Sequence, residues 1–230
     1  MTPEEKEVLC LLLNEPNIHR DAAFHFARQA NTIYDALLAK KPSEQIDALL
    51  TDDYRQMQIY SFGAVIAAFS FLDAQINDFF GRCRDDSPDG APLLLGEMLL
   101  TQEDIEAANS ASCVERFQFR STKAKYDTAL RATKRKPFDV TSDAYQALAT
   151  LNLLRNFLAH GEGQREIDAK KIADVLIEAG ITPLLHAGFP DSFLIGPTAT
   201  WAVNAVTDFF VLFCKHLYDG SPAQLRGIGD

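Results

Sequence analysis

From Asp52 to Phe80 no proline interrupts the chain, and the heart of that stretch, "YSFGAVIAAFSFLDAQINDFF" (60–80), is the most apolar part of the sequence. Nothing constrains the fold more. A run of this length is too long for a strand. Its longest nearly apolar piece, "FGAVIAAFSFL" (62–72), is too short to span a bilayer. It is therefore expected to form one long helix, and a helix that is apolar on most sides belongs at the centre of a helical assembly.

The remaining segments fit around such a helix. Thr2-Pro3-Glu4-Glu5 is a helix-start signal: a capping hydroxyl, then proline, then carboxylates near the positive end of the dipole. It predicts a short helix over 3–13. A helix over about 17–39 follows, with Ala23, Phe24, Ala27, Ile33, Leu37 and Leu38 spaced for one apolar face. "KKP" (40–42) stops it, and Ser43 opens the next helical region. "SPDGAP" (87–92) reads as a loop, and Thr101-Gln-Glu-Asp104 resembles a capping box. A helix over about 112–134 is expected to stop at Pro137. The next, capped by Thr141, Ser142 or Asp143, carries Ala144, Ala147, Leu148, Leu151, Leu154 and Leu158 on one stripe and ends at Gly161. Helices over about 168–179 and 198–218 complete the chain. "FLIG" (193–196) is the one weak strand candidate, and "GFPDSFLIGP" (188–197) reads as a loop within the domain. The expected architecture is a single all-α domain over 1–230, with a bundle core of about 17–160 plus the last helix at about 198–218.

Composition narrows the function classes. Hydrophobic residues make up 47% of the 230, which permits a sizeable core and excludes a disordered chain. The net charge of −10 argues against broad, unspecific grip on nucleic acid. The four cysteines, at 10, 83, 113 and 214, form no CxxC pair, so zinc ribbons and dithiol redox motifs are not expected. The N-terminus is acidic and unlike a signal peptide. These features predict a cytoplasmic protein with free thiols, no membrane segment, no metal and no cofactor; glycine-rich phosphate loops, G-x-S-x-G and HExxH are missing from the sequence.

One cluster stands out chemically. "LLRNFLAHGEG" (153–163) places Arg155, Asn156 and His160 at the end of an apolar helix. Asn156 and His160 are four apart and share a face. Arg155 and His160 lie about 140° apart, but a long arginine stem can swing towards the imidazole. The negative end of the dipole favours imidazolium, a near-neutral histidine can give and take protons, and guanidinium matches the fork of phosphate oxygens. Such a set suffices for metal-free RNA cleavage, in which the ribose 2′-OH attacks its own phosphate. The structural alternative is a helix end in which His160 caps carbonyls and Arg155 reaches solvent.

"LRNFLAHG" on a late helix of an all-α chain resembles the R-N-x3-H signature of the HEPN superfamily, and "SFLDAQINDFF" (70–80) resembles the earlier long helix of those proteins. The resemblance implies a helical bundle and a metal-independent endoribonuclease, a nuclease and hydrolase of toxin–antitoxin or antiviral defence systems. Arg155, Asn156 and His160 would be catalytic. Asp73 would supply a supporting acidic group, with Asn77 one turn later. It further implies a homodimer whose "RNFLAH" segments face each other, and an antitoxin or defence-system partner. In some such toxins a tyrosine two residues after the histidine is modified by a partner enzyme; here that position is Glu162. Other members are non-catalytic binding or dimerisation modules, so the fold alone does not settle the function.

Two further features carry open readings. Segment 116–136, "RFQFRSTKAKYDTALRATKRK", holds eight Lys or Arg and one acid, Asp127, and so is net +7 against −17 for the remaining chain. Arg116, Arg120 and Lys123 could track an RNA backbone, bind an acidic partner, or form a solvated face. Asp73 could orient Arg155 or be a buried carboxylate held by neighbouring helices. His19, His25, His186 and His216 show no ligand spacing, and Trp201, Phe209, Phe210 and Phe213 read as core or dimer interface.

Overall fold

A computed structural model describes residues 15–40, 51–84, 94–95, 98–99, 102–113, 117, 120–160, 165–184 and 189–219. The helix expected over 3–13, the signals at Ser43 and Thr101, the "SPDGAP" loop and Gly161 lie outside them. Seven helices occupy the described chain: α1 (Glu15–Leu38), α2 (Asp52–Arg84), α3 (Gln102–Ser112), α4 (Thr122–Ala132), α5 (Asp143–His160), α6 (Arg165–Glu178) and α7 (Gly196–Asp219). A minimal antiparallel pair, β1 (Leu94–Leu95) and β2 (Met98–Leu99), pairs Leu94 with Leu99 and Leu95 with Met98. The protein is all-α in class.

The described chain forms two compact units, Met1–Phe71 with Gln146–Thr207, and Leu72–Tyr145 with Asp208–Asp230. Helices α2, α5 and α7 contribute residues to both.

In the first unit α1 buries Ala23, Ala27, Ala30 and Leu37. Phe24 and Leu38, expected on that face, are exposed. Close helix approach is the reason. A Cβ on Gly63 of α2 would stand 3.0 Å from the Phe26 ring, and one on Gly196 of α7 would stand 2.6 Å from Asn31 Oδ1 and 2.7 Å from Asn31 Cα. The Phe26 ring fills the space over Gly63, the alanines of α1 take the remaining close contacts, and Phe24 and Leu38 are left outside. Asn31 secures the junction, its amide donating to Thr200 Oγ1 at 2.7 Å and to its own helix at Ala27 O. The Tyr54 hydroxyl of α2 donates to Asp191 O at 3.1 Å. Leu148, Leu151 and Leu154 of α5 are fully buried, as their spacing predicts.

The core of the second unit is aromatic. The buried ring of Tyr126 stands edge-on to Phe209 (5.2 Å) and Phe213 (4.6 Å), and Phe138 lies 4.9 Å from Phe209. The Tyr126 hydroxyl donates to Leu72 O at 3.0 Å, so no polar atom of this ring is stranded. Phe209 and Phe213, read from sequence as core or interface, are core here.

Three boundaries differ from expectation. The helix expected over 112–134 begins only at Thr122, because Ser121 is in extended conformation and its hydroxyl accepts from Ala124 N–H, a helix N-cap. It ends before Pro137 is reached. Lys134 takes a left-handed φ of 54°, its N–H bonding Arg131 O while the Arg135 N–H bonds Leu130 O. That paired closure usually uses glycine, as Gly180 does after α6. "FLIG" is not a strand: Asp191–Phe193 form a 3-10 turn, and Gly196 already belongs to α7. Ahead of α5, the Asp139 carboxylate accepts from the Thr141 N–H and hydroxyl.

Candidate functional site

Arg155 and Asn156 occupy the last turns of α5, both half-buried in the first unit. The Arg155 guanidinium donates from Nη1 to Asn156 Oδ1 at 2.9 Å and lies 5.6 Å from the centre of the Phe69 ring on α2. An amide on one side and an aromatic face on the other fix the orientation of the fork. Neither contact carries a negative charge. Among the described residues no carboxylate forms an ion pair with Arg155. His160 closes α5 by its backbone, and its side chain lies outside the described residues, as do Glu162 and Gly163. Beside the motif, Phe157 meets Phe189 edge-on at 4.9 Å.

Asp73 and Asn77 belong to the second unit, where both are engaged by α4. Asp73 Oδ1 accepts from the Thr122 hydroxyl (3.0 Å) and from Lys125 Nζ (3.3 Å), and Asn77 Oδ1 accepts from Lys125 Nζ at 2.8 Å. The Lys125 side chain is 5% exposed, against 45% for Asp73. An ammonium this deep is tolerated because two oxygens replace its water. These contacts hold Asp73 through a neighbouring helix, as one reading expected, but its side chain is not buried. Lys125 and Thr122 went unnoticed in the sequence, although a signal was present. Thr122, Lys125, Tyr126, Ala129 and Leu130 are all buried at helical spacing, so the lysine stands at a core-facing position.

Within the basic segment, Arg116 lies outside the described residues. The Arg120 guanidinium lies 5.7 Å from the Phe117 ring centre and donates to Thr128 Oγ1. Lys123 Nζ sits 4.3 Å from the centre of the Tyr145 ring. Lys134 pairs with Glu103. Arg135 donates to Asp104 Oδ2 (3.1 Å) and Leu217 O (3.1 Å), both side chains being almost buried. Burial raises the Asp127 carboxyl above its ordinary value, and the charges of Arg131 and Lys123 pull it back. Of these cations, Lys125 and Arg135 are nearly buried in ion pairs within the second unit, whereas Arg120, Arg131, Lys134 and Lys136 are exposed.

Of the histidines, His216 bonds Lys136 O through Nδ1 at 2.8 Å, a structural placement, and His186 lies outside the described residues. Burial, with the charge of Asp104 behind it, pushes the Cys83 thiol up to about 12; burial pushes Cys214 to about 11.

No protein-family model matches this chain, and searches of characterised proteins and of solved structures likewise return no significant match.

Proposed function

We propose that the chain is a cytoplasmic, HEPN-like endoribonuclease that cleaves RNA without a metal or other cofactor, in a defence or toxin–antitoxin setting. The observation that supports this reading is the Arg155 guanidinium: half-buried, held by an amide and an aromatic ring, and with no carboxylate partner among the described residues. Its charge is left for an anion, and a scissile phosphate is the anion its fork fits. His160, at the negative end of the α5 dipole, takes the 2′-OH proton as the 2′-oxygen bonds phosphorus. Arg155 stabilises the charge on the phosphoryl oxygens. The P–O5′ bond then breaks, and the 5′-oxygen leaves with a proton from an imidazolium. The imidazolium formed in the first step returns that proton, so each copy of a homodimer carries a complete site, and Asn156 positions the guanidinium in each copy.

Cleavage should persist in excess EDTA and leave 2′,3′-cyclic phosphate ends. His160→Ala should lose about 10²–10⁴-fold in rate while remaining folded. Activity abolished by EDTA and restored by a divalent ion would overturn the mechanism.

A second reading, a non-catalytic interaction module, has its own support: Arg155 already bonds within its own helix, and Arg120 and Lys123 of the basic segment are packed against their own chain. It predicts no cleavage of total RNA by the wild-type protein and no difference from His160→Ala.

A further inference from the structure

Helix α2 turns one apolar stripe outward. Of the most apolar window of residues 52–81, 50% is buried inside the protein. Ile59 is 60% exposed and Phe62 39%, while Ile66 and Phe69 are half-buried. Their spacing alternates three and four residues, the pattern that keeps one seam facing a partner helix. The same stripe ends in opposite charges. Arg55, one turn before Ile59, is exposed. Asp73, one turn after Phe69, is 45% exposed, and its bonds to Thr122 and Lys125 are both made by Oδ1.

We infer that this stripe is the face by which two copies of the chain associate, α2 against α2, antiparallel about a two-fold axis near Ala64. The register follows from the sequence of the stripe. Pairing about that point sets Ile59 opposite Phe69 of the second copy and Phe62 opposite Ile66, so every apolar residue meets an apolar one. It also sets Arg55 opposite Asp73, twice by symmetry. A parallel pairing would place Arg55 against Arg55 and Asp73 against Asp73. Antiparallel alignment also sets the helix dipoles head to tail. From Arg55 to Asp73 the seam is roughly 27 Å long at 1.5 Å per residue. Because Arg155 rests on Phe69, the two guanidiniums flank the seam, roughly 15 Å apart along the axis, instead of meeting head on. This deepens the dimer part of the proposed function but does not depend on its chemistry.

Sedimentation of the full chain over micromolar concentrations tests the inference, with RNA cleavage measured separately. The wild type should be a dimer. Phe62→Glu should weaken association by at least about 100-fold, because the seam would bury a charge opposite an apolar residue, with the helical circular dichroism unchanged. Ile59→Ser decides the matter should Phe62→Glu fail to fold. Val211→Glu, at an exposed apolar residue of α7, should leave the dimer intact. Raising salt should weaken the wild-type dimer but have less effect on Arg55→Gln. A monomeric wild type, a wild type that binds lipid vesicles in place of itself, or a dimer indifferent to Ile59→Ser would each overturn the inference. Loss of RNA cleavage in an intact dimer would instead count against the catalytic reading alone.

Discussion

The two units handle charge in opposite ways. In the second, buried or nearly buried cations have oxygen partners: Lys125 has Asp73 and Asn77, and Arg135 has Asp104 and a backbone carbonyl. In the first, helices meet over Gly63 and Gly196, and among the described residues the half-buried Arg155 meets an amide and a ring but no carboxylate. A compensated cation is structural, since removing it strands its partner. An uncompensated one adds little to the fold and is available to a ligand. Cationic residues that look equivalent in the sequence are thereby sorted into two kinds.

The largest effect that would break this contrast is on stability. Arg135→Ala should cost about 3–5 kcal/mol, because it removes an almost buried ion pair with Asp104 and the bond to Leu217 O. Arg155→Ala should cost less than about 1 kcal/mol, and chemical denaturation of the two variants compares them directly. Equal losses would erase the distinction.

A smaller effect tests the packing of the first unit. Gly196→Ala should destabilise by about 1–3 kcal/mol, because its Cβ would collide with Asn31 backbone that cannot swing aside. Gly81→Ala, on the part of α2 in the second unit, meets nothing within 4 Å and should be neutral or slightly stabilising. Thermal melts of both variants check the pair.

The smallest effect is on alkaline stability. The folded state holds the Cys83 proton more tightly than the unfolded chain does, the thiol moving from an ordinary 9.0 to about 12. Its contribution is therefore complete below 9.0 and is lost progressively as pH rises towards about 12. In Cys83→Ala the fall of Tm with rising pH above that point should be shallower. Cys113, exposed and unshared with this core, should leave the slope unchanged when replaced by alanine.

The sequence by itself determined the helical class, the long α2, the three buried leucines of α5 and the position of Arg155 and Asn156 at its end. These follow from apolar periodicity and local stop signals, which act within a few residues of one another. It could not place what depends on partners distant in the chain. Phe24 and Phe26 differ by two positions, yet the close approach of Gly63 selects Phe26 for contact and leaves Phe24 exposed. Lys125 reads as one more solvated lysine until α2 brings Asp73 and Asn77 to it. The closure after α4, whose last helical residue is Ala132, rests on a left-handed Lys134 that composition does not announce. Tertiary structure decided these points because the free energy of a charge or a large side chain depends on what surrounds it, and that is settled only when helices far apart in sequence meet.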